Sequence, residues 1–369
     1  MTLRVNGKVV TPTGVIRQGC VELDGDRITA VAEYPSIRDG HWIVPGFVDM
    51  HTHGGGGHTY TTGDAESARQ AAAFHLGHGT TTMLASLVSS PFELMRAATT
   101  AFRPLVEEGT LAGVHFEGPY LSSARCGAQN PQFLRDPAVD ELAELIELGG
   151  GAVRMVTLAP ERDGALEAIK LLTAHRVVAA VGHTDATYDQ TRAAVAAGAS
   201  VGTHLFNGMR PMHHREPGPV VALLDTPNVV CELVADGVHL HDKMLTFVTA
   251  TAGPERVALV TDAMSAAGMP DGEYELGGQT VTVADGVARL AADGAIAGST
   301  LTMDAALRHA VHAGVPMADA CRMVATTPAR AIGLGDQVGA LQVGLRADLV
   351  VLDDDLNVIR VMRGGSWIK

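Results

Sequence analysis

Short apolar, β-branched runs alternate along this chain with Ala- and Leu-rich stretches of helical length, and that alternation restricts the fold more than any other feature. The runs are Ile43 to His51, Thr80 to Val88, Gly113 to Glu117, Val153 to Leu158, Val177 to His183, Ser200 to Leu205, Val229 to Ala235 and Arg256 to Asp262. Eight strands joined through helices are the count of a (β/α)₈ TIM barrel, an α/β fold. The helices between them are predicted at Ala65 to His78, Pro91 to Glu108, Val139 to Leu148, Ala165 to His175, Tyr188 to Ala197 and His241 to Ala252. A further pair, Met303 to His312 and Met317 to Ala325, follows the eighth strand, while Met209 to Asp225, rich in Pro and His, reads as an irregular functional loop.

The ends of the chain break the pattern. Leu3 to Val10, Cys20 to Leu23 and Arg27 to Val31 around Asp24-Gly25-Asp26, with Asp348 to Leu352 and Val358 to Met362 at the other end, read as short antiparallel strands. These predict a small β-sandwich domain built from both termini, residues 1–42 and 340–369, beside a barrel over 43–339. A β insertion near 266–297 carries Gln279 to Val283 and Val287 to Leu290, joined at Asp285-Gly286.

A formal charge of −14 argues against nucleic-acid or anionic-membrane partners, so an anionic substrate needs a local basic pocket. No apolar run reaches membrane-helix length, and Met1 to Lys8 does not read as a signal peptide, which makes the cytoplasm the expected location. The four cysteines, Cys20, Cys126, Cys231 and Cys321, are scattered without a CxxC pair and are expected to be reduced thiols.

Active sites of such barrels lie at the carboxyl ends of the strands. The first run ends in His51 and His53, the third in Glu117, the fifth in His183 and the eighth in Asp262, and the sixth carries His204. Each has a structural alternative taken singly: a polar strand end, a hydrogen-bonded histidine, a solvated acid, a cap for the next segment. Their recurrence at one end of five strands points instead to a shared divalent cation, since histidine nitrogen with carboxylate oxygen is a hydrolytic metal's donor set. Arg210, His213, His214 and Arg215 form a basic cluster suited to phosphate oxygens, with an ordinary solvated loop as the alternative.

Pro45-Gly46-Phe47-Val48-Asp49-Met50-His51-Thr52-His53 resembles the opening strand of the amidohydrolase superfamily. The segments His115 to Leu121, Gly182-His183-Thr184, Thr203 to Met209, Arg215-Glu216-Pro217-Gly218, Ala235 to His239, Thr261-Asp262-Ala263 and Leu301-Thr302-Met303 resemble the N-acetylglucosamine-6-phosphate deacetylase family. The similarity spans nearly the whole chain. It implies that Glu117, His183 and His204 bind one metal. His51 and His53, with Glu117 bridging and Asp262 contributing, would bind a second. Zinc is the expected ion, with iron, manganese and cobalt as alternatives.

The family's reaction is attack of metal-activated water on the acetyl group of N-acetylglucosamine 6-phosphate, in amino-sugar catabolism and recycling. Asp262 would serve as base and then acid. Arg215, His239 and the amides at Asn207-Gly208 would hold the phosphate, with Arg215 reaching the neighbouring subunit of a homodimer. Two departures stand out. The fourth strand, Val153 to Leu158, lacks the lysine that bridges ions in many relatives of the superfamily, so Glu117 must bridge. Where many family members carry a histidine that polarises the acetyl carbonyl, this chain has Gln129, in a stretch whose Cys126 falls in an expected lid; a second ion at His51 and His53 would take over that polarisation. A cyclic-amide hydrolase, a nucleobase deaminase and a catalytically silent barrel are the competing readings; the phosphate clamp argues against the first two and Asp262 against the third.

Overall fold

The computed structural model describes residues 3–35 and 40–368; residues 1–2, 36–39 and 369 of the predicted terminal β domain lie outside it. Eight strands form one parallel sheet, numbered here as barrel strands: β1 (Phe47–Asp49), β2 (Thr80–Leu87), β3 (Gly113–Glu117), β4 (Val153–Leu158), β5 (Val178–Val181), β6 (Val201–Gly202), β7 (Val230–Val234) and β8 (Val257–Val260). β2 and β3 are buried along their whole lengths, as strands covered on both faces must be. The barrel closes just beyond the ends of β8 and β1: Asp262 N–H donates to His51 C=O at 2.9 Å and His53 N–H to Ala263 C=O at 2.7 Å. Below them Thr261 Oγ1 donates to Asp49 Oδ2 at 2.6 Å.

The helices follow local rules. Asp64 caps Ala65–Gly77 by accepting from Ser67 N–H, Thr187 and Gln190 form a reciprocal capping box before Tyr188–Ala197, and Gly150 ends Val139–Gly149 in the left-handed region. The predicted loop 209–225 is helical over Gly218–Leu224, where Pro217-Gly218-Pro219 concealed an apolar helix start. The helix read at Met317 to Ala325 ends at Cys321 and passes through a π turn, Arg322–Thr326, into Thr327–Ala331.

The single strand predicted at Ile43 to His51 is two. Trp42–Pro45 pairs in parallel with Leu3–Thr11 and antiparallel with Leu349–Leu352, so it belongs to the terminal sheet, and β1 begins only after Gly46. A Cβ on Gly46 would lie 2.3 Å from Thr81 Oγ1 and 2.9 Å from Asp348 Cβ, which explains why glycine stands where the chain passes between the sheets. The terminal strands form one seven-stranded sheet, and its edge strand Arg27–Glu33 folds over to meet the segment before Leu349, Ile28 N–H donating to Leu345 C=O at 3.0 Å. Val5, Val9, Val21, Leu23, Ile28, Ile43, Leu349, Val351 and Met362 fill the space enclosed. The insertion holds three antiparallel strands, with Gly272–Leu276 added to the two that were expected.

Candidate metal centre and active site

Every anticipated ligand stands at the carboxyl end of the barrel, but most lie just past their strands. β5 stops at Val181, β6 at Gly202 and β8 at Val260, and His183, His204 and Asp262 have φ of 46°, 26° and 49°. Non-glycine residues reach this region only where surrounding contacts hold them. Asp262 is held on both sides, donating to His51 C=O and accepting from Ser299 N–H at 2.7 Å. The strands end there because turning the backbone aims the side chains inward over the barrel.

Two groups of three donors result, His51 with His53 and Asp262, and Glu117 with His183 and His204. Glu117 joins them. Its Oε1 is 2.9 Å from His204 Nε2 and 3.0 Å from His183 Nε2, while its Oε2 is 3.2 Å from His53 Nε2. Asp262 Oδ1 lies 3.2 Å from His53 Nε2 and 3.5 Å from His51 Nε2. All six are buried.

The hydrogen bonds at the far side of each ring test whether a cation fits. His51 Nδ1 faces Glu232 Oε2 at 3.0 Å, His53 Nδ1 faces the Ser86 carbonyl at 3.1 Å, and His183 Nδ1 faces the Arg125 carbonyl at 2.9 Å. Each partner only accepts, so each Nδ1 carries the proton and each Nε2 presents a lone pair. The Nε2 lone pairs of His51 and His53 then face one another at 3.1 Å, and that of His183 faces His204 Nε2 at 3.1 Å. A divalent cation in each group satisfies this arrangement.

In the polypeptide alone, protons on the imidazoles take the place of the cations, and the charges sustain one another. Burial would raise the Glu117 carboxyl, yet His51, His183 and His204 hold it well below the usual range. Asp262 is likewise held down, against burial, by His51 and His53.

A pocket of about 230 Å³ opens over this centre, lined by His53, Glu117, His183, His204, His239 and Asp262 among others. Asn207 and Gly208 also line it; a Cβ on Gly208 would lie 2.8 Å from His183 Nδ1, so only glycine leaves the ligand ring in place. Leu276, Ala295 and Ile296 of the insertion form part of its wall, and Gln279 Nε2 ties the insertion to the third-strand loop by donating to Ala128 C=O at 2.6 Å.

Gln129 borders the pocket but is already engaged. Its Nε2 donates to Glu117 Oε2 at 2.6 Å and its Oε1 accepts from Ser89 N–H at 2.6 Å. It therefore orients the Glu117 carboxylate with one N–H and keeps a second N–H on the same nitrogen. Cys126, one turn earlier, is half-buried and does not line the pocket. His239 does, with Nδ1 2.6 Å from Asp236 Oδ2. Arg215 does not: its exposed guanidinium lies 2.7 Å from His214 Nε2, in a separate cleft with Arg210 and Tyr188.

Sequence reasoning missed the residues behind the ligands. Glu232 is fully buried on β7, and its Oε2 contacts both His51 Nδ1 and His204 N–H, the latter at 3.1 Å. An acid inside Val229-Val230-Cys231-Glu232-Leu233-Val234 was the available signal, because a buried carboxylate requires a partner. Arg125, which holds His183 through its carbonyl, is fixed by Asp185, and Asp185 is shared with Arg210 at 2.8 Å.

A sequence model of the amidohydrolase family matches residues 42–368. An N-acetylgalactosamine-6-phosphate deacetylase of Escherichia coli O157:H7 is 40% identical over 371 residues, 98% of this chain and 96% of its own. An N-acetylglucosamine-6-phosphate deacetylase of Vibrio furnissii is 36% identical, over 89% of this chain and 82% of its own. Among solved structures, a point mutant of N-acetyl-D-glucosamine-6-phosphate deacetylase from Mycobacterium smegmatis, in complex with N-acetyl-D-glucosamine-6-phosphate, superposes with a TM-score of 0.96 at 47% identity over 99% of both chains. The N-acetylglucosamine-6-phosphate deacetylase of Thermotoga maritima superposes with a TM-score of 0.93 at 34% identity, over 100% of this chain and 99% of its own. This chain belongs to the amidohydrolase family and, within it, to the group formed by these deacetylases.

Proposed function

We propose that the chain hydrolyses the acetamide of N-acetyl-D-glucosamine 6-phosphate to D-glucosamine 6-phosphate and acetate. The observation that carries this reading is the double donor set bridged by Glu117, opening into a pocket that also presents Asp262 and His239. Divalent ions held there, zinc by donor chemistry and two per chain by donor count, supply Lewis acidity toward a carbonyl and ease the deprotonation of water. Asp262, pinned at the pocket floor, accepts the proton of the attacking water and returns it to the amine nitrogen as the carbon–nitrogen bond breaks. Gln129 keeps Glu117 in its bridging orientation through both steps.

His239 faces the substrate phosphate. Burial works against its charge, but Asp236 raises the imidazole above its ordinary value, so it meets phosphate as a cation. Beside it the Gly208 amide is the main-chain donor on offer, since Asn207 N–H donates to His204 C=O at 3.0 Å. Arg215 is assigned to the phosphate of the neighbouring site in a homodimer, in keeping with its exposure and its distance from its own chain's pocket. Among the described residues no helix is long and apolar enough to cross a membrane, and the reaction is assigned to the cytoplasm.

The test is acetate release from N-acetylglucosamine 6-phosphate and from unphosphorylated N-acetylglucosamine. The ester should be preferred by at least about 100-fold in kcat/KM, and Arg215→Ala should remove about 10–100-fold of that preference, the worth of one charged hydrogen bond. Equal turnover of the two sugars rejects the phosphate assignment. The 4-epimer, N-acetylgalactosamine 6-phosphate, belongs in the same assay because the Escherichia coli relative is named for it; a higher kcat/KM on that sugar moves the assignment to it and leaves the chemistry intact.

A further inference from the structure

A second basic cleft lies at the opposite end of the barrel, of about 230 Å³, between the amino-terminal ends of β2 to β4 and the terminal sheet. Three arginines from distant parts of the chain converge on it: Arg154 from β4, Arg346 from the segment before Leu349–Leu352, and Arg363 from the end of Val358–Arg363. One carboxylate answers them. Arg346 Nε donates to Asp348 Oδ2 at 2.7 Å, and Arg346 Nη2 also donates to Thr82 Oγ1 at 2.9 Å. Arg363 donates to the Gly109 carbonyl, a neutral acceptor. Arg154 has no partner among the described residues, and its Nε is buried and unsatisfied. Two acids next to lining residues in the chain are spent elsewhere, Glu107 on Arg103 and Glu108 on Arg69, while Asp336 beside Gln337 is exposed to solvent.

Three guanidinium charges against one carboxylate leave the cleft at +2, on a chain whose formal charge is −14. The three arginines are part-buried, and a guanidinium whose Nε is buried without a partner, as in Arg154, bears a desolvation cost. Burial holds the Arg154 guanidinium below the usual arginine range, with no carboxylate to offset it. Burial first, then the Arg346 charge, does the same to Arg363, and Asp348 offsets only part. A bound anion relieves all of these costs together. The charge excess matches a dianion, planar guanidinium forks match phosphate oxygens, and Thr82 Oγ1 adds a hydroxyl at the wall. The volume suits a small molecule and excludes a polymer.

We propose that this cleft is a second anion site, remote from the catalytic mouth, which takes the phosphate group of a small phosphomonoester or free phosphate through Arg154, Arg346 and Arg363.

The probe is inorganic phosphate, with glucosamine 6-phosphate in parallel, added to the metal-loaded full chain while its melting temperature is followed at constant ionic strength. Phosphate at one hundred times its Kd should raise the melting temperature by about 3 °C. Arg154→Gln should lose at least half of that rise, the remainder belonging to the catalytic pocket, with kcat/KM on the substrate unchanged. Without phosphate it should melt no lower than the parent, because a part-buried charge lacking a partner has been removed. Arg363→Gln is the second variant, with the same loss of response expected. Equal responses to the two probes assign the site to the phosphate group alone, and a larger response to the sugar ester assigns it to the ester. The proposal is overturned if Arg154→Gln keeps the full phosphate response, if sodium chloride reproduces the rise, or if the Arg154→Gln chain melts lower and Arg154→Lys restores it.

Discussion

A Glu117→Gln chain is expected to fold, to lose most of its metal and to release acetate at least about 10⁴-fold more slowly than the parent, the scale on which removal of a central catalytic group acts. Glu117 reaches both donor groups, with Oε1 against His183 and His204 and Oε2 near His53. A neutral amide keeps the shape but brings an NH₂ group toward imidazole lone pairs or toward the Gln129 amide, which now donates to Glu117 at 2.6 Å. The fold should survive, because the residue removed is a buried charge whose partners are themselves ligands. Elemental analysis together with an acetate assay checks this. A chain retaining the parent's metal and activity would show that the bridging carboxylate is dispensable, contrary to the geometry.

The second large effect is expected at Asp262. Asp262→Asn preserves size and can still coordinate through its carbonyl oxygen, but it can neither take nor return a proton. General acid–base groups contribute about 10² to 10⁴-fold, so kcat should fall by about 10³-fold while KM changes little. The kcat-to-KM split separates this role from a merely structural one: Thr261, Ala263 and Ser299 clamp the backbone here irrespective of the side chain. Turnover above about one tenth of the parent would remove Asp262 as the proton carrier.

Much of this molecule was legible in the sequence, for identifiable reasons. Gly113–Glu117 and Val153–Leu158 emerge as read because an apolar run bounded by polar turns has few other uses. Tyr188–Ala197 does so because its capping box is written in Thr187 and Gln190. The convergence of the six candidate donors was legible because acids and histidines at strand ends are conspicuous against apolar neighbours. What escaped was decided by tertiary contact. The break at Gly46 depends on Thr81 and Asp348 crowding the chain from two other elements. The left-handed turns at His183, His204 and Asp262 leave no trace in hydrophobic periodicity, so the strands were read too long. Gln129 was read as a substrate contact; its two short bonds to Ser89 and Glu117 depend on residues distant in the chain and were not legible. Glu232 carried a signal, a lone acid in a buried strand, but its role depends on two histidines far away in the chain. Arg154 passed without comment in a strand noted only for lacking a lysine; its position in the cleft at the far end of the barrel became visible when the terminal sheet was in place.

The central claim is that the facing Nε2 atoms of His51, His53, His183 and His204, bridged by Glu117, exist to hold the ions on which deacetylation depends. The measurement that tests it most directly is a metal titration of chelator-stripped chain, recording bound divalent ion per chain and acetate released from N-acetylglucosamine 6-phosphate on the same samples. The account predicts negligible turnover in the stripped chain, activity restored as ions bind, and a plateau at two per chain. Full turnover by a chain containing no divalent metal would contradict it.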